Sequence, residues 1–120
     1  MIQGRCMKSA LKYYAKLDAL LDAHIFFTAL ELDIFTALDN SNTAEEVAAA
    51  LSVDTGTYGG LNFDSAQSIK ILLDVLSVQG LITVNGNYYH NTDETQQFLS
   101  RSGASYIGDV LLYRKRLSDI

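Results

Sequence analysis

Residues 65–90 read SAQSIKILLDVLSVQGLITVNGNYYH, a helical pattern followed at once by a hairpin pattern. Apolar residues at three- and four-residue spacing predict a helix over Ser65–Gln79, and Gly80 stands where glycine commonly ends a helix. Asn85-Gly86 separates two β-prone runs, 81–84 and 87–90, and therefore predicts a tight hairpin. The apolar face of this helix has four members: Ile69, Leu72, Leu73 and Leu76.

Further helices are predicted on both sides of this stretch. A helical pattern runs from Lys8 to about Leu32, and Thr43-Ala-Glu-Glu46 is a capping box that opens a short helix. Thr92 caps another helix after the hairpin, and a last helix starts near Ser105. The order predicts a mainly α fold: a winged helix-turn-helix with a two-stranded β wing and flanking N- and C-terminal helices. Function does not follow from that fold.

The charges are distributed unevenly along the 120 residues, whose formal net charge is −5. Residues 1–16 hold four basic side chains and no acid, whereas residues 17–100 hold twelve acids against Lys70 alone. An acidic surface repels the phosphates that dominate affinity for nucleic acid. The length has room for one domain.

Several classes of protein are excluded on composition. Cys6 is the only cysteine, so no internal disulfide can form, and we expect a cytoplasmic protein with a functionally silent thiol. His24 and His90 are far from Cys6 in the sequence, which argues against a zinc site. We expect His24 to be packed or at an interface rather than catalytic, and His90 to be exposed. We expect neither a secretory signal nor a membrane span, because the first residues have no continuous apolar run and the longest apolar stretch is too short to cross a bilayer.

DNA binding remains the alternative function at this point. The helix Ser65–Gln79 would then lie in the major groove, yet its polar positions offer one lysine and one aspartate. The wing tip, Asn85-Gly86-Asn87, has no basic residue. The alternative stays open because dimerisation could bring the basic ends together and because Asn and Gln can read adenine. The positions that would face DNA are Ser65, Gln67, Ser68, Lys70, Asp74 and Ser77.

Four segments, in order, resemble a known family. Residues 24–38, HIFFTALELDIFTAL, resemble the "A…ELG(I/V)F..L" segment of S-adenosylmethionine-dependent small-molecule O-methyltransferases of the acetylserotonin and plant phenolic types, with Asp33 where glycine is usual. Residues 43–51, TAEEVAAAL, are similar to "T..ELA..L", and residues 72–82, LLDVLSVQGLI, to "LLR.L...G(L/I)". Tyr88, Tyr89 and Asn91-Thr92 resemble the "Y.LT" after them. The resemblance covers about residues 20–113.

This resemblance implies a winged-helix-like dimerisation module at residues 16–100. Residues 1–15 would be an N-terminal arm or helix start, and residues 101–120 a helix leading towards a catalytic domain absent from this chain. That domain would bind S-adenosylmethionine on a G-x-G loop, whereas no two glycines here are separated by a single residue. We therefore expect a homodimer whose parent protein is an O-methyltransferase, with no catalytic, cofactor or metal residue in this chain. A small-molecule substrate would bind only with the catalytic domain.

The apolar stripes predict where two copies meet. The resemblance also allows three aromatic residues, Tyr13, Tyr14 and Phe27, to form a wall of the partner's substrate pocket, although plain core or dimer packing is the commoner role for such residues. Residues 55–63 resemble an insertion to which we assign no function. The predicted dimer interface consists of Leu17, Leu20, Leu21, Ile25, Phe26, Ile107, Leu111 and Leu112.

Overall fold

Six helices and two small hairpins follow one another in the part of the chain that the computed structural model describes, residues 4–51, 57–58, 61–62 and 66–119. Their order is helices, wing and helices, which confirms the predicted winged-helix-like fold. The elements are α1 Gly4–Glu31, α2 Ile34–Ala37, α3 Ala44–Ala50, β1 Thr57–Tyr58, β2 Leu61–Asn62, α4 Ala66–Val78, β3 Ile82–Asn85, β4 Tyr88–Asn91, α5 Asp93–Phe98 and α6 Gly108–Ser118.

The core forms where α3, α4 and the C-terminal half of α1 meet below the wing. The predicted apolar face of α4 is buried, and Thr28, Ala29 and Leu30 of α1 are buried while Glu31 in the same turn is exposed. From the wing, Ile82 and Tyr89 enter the same core. The largest fully buried side chains are Tyr89, Phe35, Ile34, Ile69, Leu73, Leu76, Ile82 and Val47.

Gly80 ends α4 as the sequence predicts. Its φ is +79°, in the left-handed region that favours glycine. The Leu81 N–H donates to the Leu76 carbonyl at 3.0 Å, and the Gly80 N–H donates to the Ser77 carbonyl at 3.1 Å. These two bonds are those of a Schellman motif, which satisfies the last carbonyls of the helix and turns the chain into β3.

The wing turn lies one residue later than the sequence predicts. Asn85 pairs with Tyr88, so the central residues of the turn are Gly86 and Asn87 rather than Asn85 and Gly86. Gly86 has a φ of +62°, whereas among the described residues Asp33 is the one non-glycine residue with positive φ. Positive φ at the first central residue alone indicates a type II′ turn, which requires glycine there. The hairpin is therefore confirmed, and its predicted central pair, Asn85-Gly86, is wrong by one residue.

The helix starts follow the predicted caps with small differences. The Thr43 hydroxyl accepts from the Glu46 N–H at 3.2 Å, while the Glu46 carboxylate accepts from the N–H of Asn42 rather than that of Thr43. Thr92 forms a reciprocal box with Thr95. The last helix starts at Gly108 instead of near Ser105, because the N–H groups of residues 105 and 107 donate to the carbonyls of residues 97 and 98.

Part of the predicted loop is paired. Thr57–Tyr58 and Leu61–Asn62 form a short antiparallel ladder where the sequence predicts an irregular loop. The remainder of residues 52–65 lies outside the described residues.

Gly80→Ala should lower the free energy of unfolding by about 1 kcal/mol, because alanine pays for a left-handed backbone conformation that glycine adopts freely. Gly80→Asn should lose less, since asparagine tolerates this conformation. Urea unfolding measures both. Val78→Ala, at a site 87% exposed, is the control and should change stability by less than about 0.5 kcal/mol. Equal stabilities of Gly80→Ala and the unmodified chain would contradict the left-handed conformation assigned to Gly80.

Candidate dimer interface

The N-terminal half of α1 carries a row of exposed apolar side chains. Each is at least half exposed, and together they occupy about three turns of helix. Monomeric proteins seldom leave an apolar patch of this size open to water. The row, which we call the arm face, consists of Leu11, Tyr13, Tyr14, Leu17, Leu20 and Leu21.

Most of the arm face points away from the chain's own core. Asp22 Oδ1 accepts a hydrogen bond from Gln79 Nε2 at 3.2 Å, so the Asp22 side of α1 faces the end of α4. At about 100° per residue, Leu17, Leu20 and Leu21 lie about 100–160° around the helix from Asp22. Helix α1 has 28 residues and a length of about 42 Å, and it reaches along a molecule whose longest extent is 55 Å. Its own chain therefore leaves these leucines uncovered.

The C-terminal half of α1 has a different environment. Ile25, Phe26 and Phe27 are half-buried and pack against the core. The ring centroids of Phe26 and Phe27 are 5.3 Å apart in an edge-to-face arrangement, and Phe26 lies 6.4 Å from Phe35. Ile25 and Phe26 of the predicted interface are thus at the edge of the chain's own core. Of the three aromatic residues suggested as a pocket wall, Tyr13 and Tyr14 are exposed and Phe27 is not.

Helix α6 has apolar side chains on two of its sides. Leu111 and Leu112 pack against the core, whereas Ile107 is 41% exposed. The opposite side carries an apolar stripe outside the predicted interface, although its i, i+3, i+7 spacing in the sequence is the usual signal of an apolar helix face. This stripe consists of Val110, Tyr113 and Leu117, each more than half exposed.

An apolar groove of about 360 Å³ opens beside the half-buried part of α1. We call it the α5–α6 groove. Three residues of the predicted interface, Phe26, Ile107 and Leu111, lie in its wall, so the groove is continuous with that interface. Glu94 is the one charged residue of the lining, which consists of Phe26, Leu81, Glu94, Thr95, Phe98, Leu99, Ile107 and Leu111.

Arg101 fixes the position of α6 next to this groove. Its Nε lies 3.0 Å from Asp33 Oδ1, its Nη1 lies 3.5 Å from Asp109 Oδ1, and its backbone N–H donates to the Thr36 hydroxyl. The hydrogen bond with Asp33 raises the pKa of Arg101 above its ordinary value. One guanidinium thereby joins the turn after α1 to the first turn of α6.

The exposed face of α4 is poorly suited to DNA. Lys70 Nζ lies 3.1 Å from Asp74 Oδ2 and donates to the Tyr89 hydroxyl at 3.0 Å, so its charge is offset locally. The same face exposes Ile71 and Val78, which offer nothing to a phosphate. Of the positions predicted to face DNA, Gln67 is exposed, whereas Ser65 lies outside the described residues.

The hydrogen bonds below the wing shift three pKa values. The Tyr89 hydroxyl donates to Asp74 Oδ1 at 2.5 Å. Burial, together with this bond to Asp74, raises the pKa of Tyr89, and the same bond lowers the pKa of Asp74. The hydrogen bonds with Tyr89 and Asp74 raise the pKa of Lys70. This cluster is structural, because the Tyr89 side chain is buried in the core.

The remaining candidate residues do not converge. His24 and His90 are both exposed, which agrees with the expectation for His90 and not with a packed His24. The side chain of Cys6 lies outside those that the structure describes. The described residues include neither a group of three metal-ligating side chains nor a helix long and apolar enough to cross a membrane.

Comparison with known proteins gives a family and a fold. A family model described as the O-methyltransferase dimerisation domain matches residues 14–101. A comparison with curated protein sequences finds no significant relative. The likeness to solved structures rests on 24% sequence identity or less in the three structures compared below, so it speaks for the fold.

Three of these structures represent the set. An O-methyltransferase family protein from Burkholderia thailandensis is 24% identical with a TM-score of 0.74, over 92% of this chain and 30% of its own. Human N-acetylserotonin methyltransferase, in complex with SAM, is 24% identical with a TM-score of 0.68, over 93% of this chain and 31% of its own. PigF with SAH is 18% identical with a TM-score of 0.69, over 96% of this chain and 33% of its own. The chain thus spans about a third of their length.

Tyr89→Phe should lower stability at neutral pH by about 1 kcal/mol, because it removes a hydrogen bond to a charged acceptor. The raised pKa of Tyr89 adds a pH dependence. Its contribution is complete below the ordinary tyrosine value of about 10 and is lost as the pH rises through the folded-state pKa. The unmodified chain should therefore lose stability above pH 10 more steeply than the variant.

Unfolding by urea at several pH values measures this difference. Tyr88→Phe is the matched control, since Tyr88 is the neighbouring wing tyrosine and is 54% exposed. It should leave both the neutral stability and the alkaline slope unchanged. Parallel stability curves for Tyr89→Phe and the unmodified chain above pH 10 would refute the role given to this hydroxyl.

Proposed function

The chain belongs to the family of O-methyltransferase dimerisation domains, and from this premise we propose that it joins two copies of an O-methyltransferase into a homodimer through the arm face of α1. The observation that carries the proposal is the direction of that face. Leu17 and Leu20 are 50% and 54% exposed and point away from their own α4. A second copy would bury them without any change in the fold.

The proposed interface has a centre and a margin. Its centre is the exposed part of α1, where truncation of a side chain costs the contact with a partner and nothing in the chain's own core. Its margin consists of half-buried residues that a partner would cover further. The centre is formed by Leu17, Leu20 and Leu21, and the margin by Ile25, Phe26, Ile107, Leu111 and Leu112.

Tyr13 and Tyr14 are proposed to extend beyond this centre into the substrate pocket of the partner. Both are more than 60% exposed and lie towards the N-terminal end of the arm face, away from their own core. Phe27 is a weaker candidate for that wall, since it packs within its own chain. An amphipathic tyrosine suits a wall that contacts both a small molecule and water.

Methyl transfer is proposed for a parent protein rather than for this chain. The similar structures include complexes with SAM and SAH, which supports S-adenosylmethionine as the cofactor of a parent enzyme. The glycines of this chain do not form the G-x-G spacing of a cofactor loop, so we assign no cofactor contact to its residues. A cytoplasmic location fits the single cysteine. DNA binding is not proposed, because the one cation of the α4 face is paired with Asp74.

Leu17→Glu should convert the dimer into a monomer at micromolar concentration. The substitution places two carboxylates in a dry interface and should raise the dissociation constant at least about a hundredfold. Because Leu17 is exposed in the single chain, the helical content by circular dichroism should not change. Light scattering across a dilution series measures the effect.

The control for this experiment is Ile71→Glu. Ile71 is a comparably exposed apolar residue, 60% exposed, on α4 and outside the proposed interface, so its replacement should leave the dimer intact. Either a monomeric unmodified chain or a Leu17→Glu variant as dimeric as the unmodified chain would remove the proposal.

A further inference from the structure

We infer that charge selects the position of the second copy. Lys12 and Lys16, beside the arm face of one copy, contact Glu94 at the rim of the other copy's α5–α6 groove. This inference rests on the proposed function and adds to it an electrostatic contact, made twice in a two-fold dimer. Three features support this contact. Two lysines have no carboxylate partner, the acidic rim of the groove has no basic partner, and the lysines and the rim are far apart within one chain.

The lysines flank the arm face. Lys12 and Lys16 are both exposed, and Lys16 lies about 100° around the helix from Leu17. Lys12 Nζ lies 5.1 Å from the centroid of the Tyr13 ring. Neither lysine forms an ion pair with a described side chain, whereas Lys70, Arg101 and Lys115 do; on α6, Arg114 and Arg116 are likewise without one. Lys12 and Lys16 are therefore available to a partner.

The groove has the complementary character. Glu94 lies in its lining and Asp93 is exposed beside it, and no described basic side chain pairs with either. By contrast, Asp33, Asp74 and Asp109 are each bound by lysine or arginine. The hydroxyl of Thr95, the other polar side chain of the lining, is already hydrogen-bonded to Thr92. An occupant of this groove thus needs an apolar surface with a cation beside it.

A chain cannot provide this contact to itself. Lys16 precedes Phe26, which lies in the groove wall, by ten residues of continuous helix, a separation of about 15 Å along the axis. Lys12 lies about 21 Å from Phe26 along the same helix axis. A lysine side chain spans about 6 Å, and neither lysine forms an ion pair with Glu94 of its own chain, so we assign the contact to the arm face of another copy. The arm face and its lysines match both requirements of the groove.

Asp93 and Glu94 also have a local role. Acids in the first turn of α5 stabilise its N-terminus through the helix dipole. That role is shared by Glu45 in the first turn of α3, which is exposed, unpaired among the described side chains and outside the groove. Glu45 therefore separates the dipole effect from the proposed contact. The helix dipole explains an acid at position 94. It does not explain the open apolar groove beside that residue.

A charge exchange between copies tests the inference. Lys12→Glu with Lys16→Glu in one chain, and Glu94→Lys in another, should each weaken homodimerisation about tenfold, since two repulsive contacts replace two attractive ones. An equimolar mixture of the two variants should form the heterodimer in excess over both homodimers. Native mass spectrometry of chains with different mass tags counts the three species. Raising the salt from 0.05 to 0.5 M should weaken the unmodified dimer.

The matched control is a mixture of the double lysine variant with Glu45→Lys, which should give no excess of heterodimer. An unmodified dimer that is indifferent to salt, with mixtures that assort at random, would overturn this inference and leave the proposed function in place. An excess with Glu45→Lys, or loss of the lysine variant's homodimer without rescue by Glu94→Lys, would overturn the assignment of Glu94. A monomeric unmodified chain at every concentration would instead remove the proposed function itself.

Discussion

An apolar helix face has to be covered, and in this chain α1 meets that requirement over only half of its length. Around Ala29 three consecutive side chains are buried, so this part of the helix belongs to the core. Around Leu17 it has left the core, and its apolar residues continue into water. Because helix α1 is continuous, the buried half holds the exposed half in a fixed direction. The rest of the fold therefore holds this surface in place for contact with another molecule.

The end of α1 shows how the support is built. Asp33 adopts φ +60° at the turn into α2, a conformation that favours glycine, and glycine is the residue expected there from the resemblance. Its carboxylate binds Arg101, which also reaches Asp109 of α6. An ordinary side chain in a left-handed conformation costs about 1 kcal/mol, less for aspartate, and here the side chain gains a partner that glycine cannot bind. The departure from glycine thus connects two elements beside the groove.

Much of the fold could be predicted from the sequence, since its signals are local. Gly80 and the apolar face of α4 depend on residues within one or two turns, and both predictions are confirmed. The sequence predicts the hairpin but places its turn one residue early, because Asn85-Gly86 and Gly86-Asn87 are both acceptable turn pairs. The bond from the Ile107 N–H to the Phe98 carbonyl, which delays the start of α6, is a tertiary contact without a local signal.

The candidate site shows the same division. A pattern of leucines along α1 indicates an apolar stripe, but the exposure of Leu17 and the enclosure of Ala29 depend on where the core lies. The unpaired Glu94 could not be recognised from sequence, because Asp93 and Glu94 have an equally good local explanation at a helix N-terminus.

Hydroxyl-radical footprinting at rising protein concentration tests the central claim most directly, since it reports the exposure of individual side chains. Labelling of Tyr13, Leu17 and Leu20 should fall several-fold as the dimer forms, while labelling of Ile71 and Val78 on α4 stays constant. Unchanged labelling of the α1 residues across the transition, or a loss confined to α4, would contradict the account.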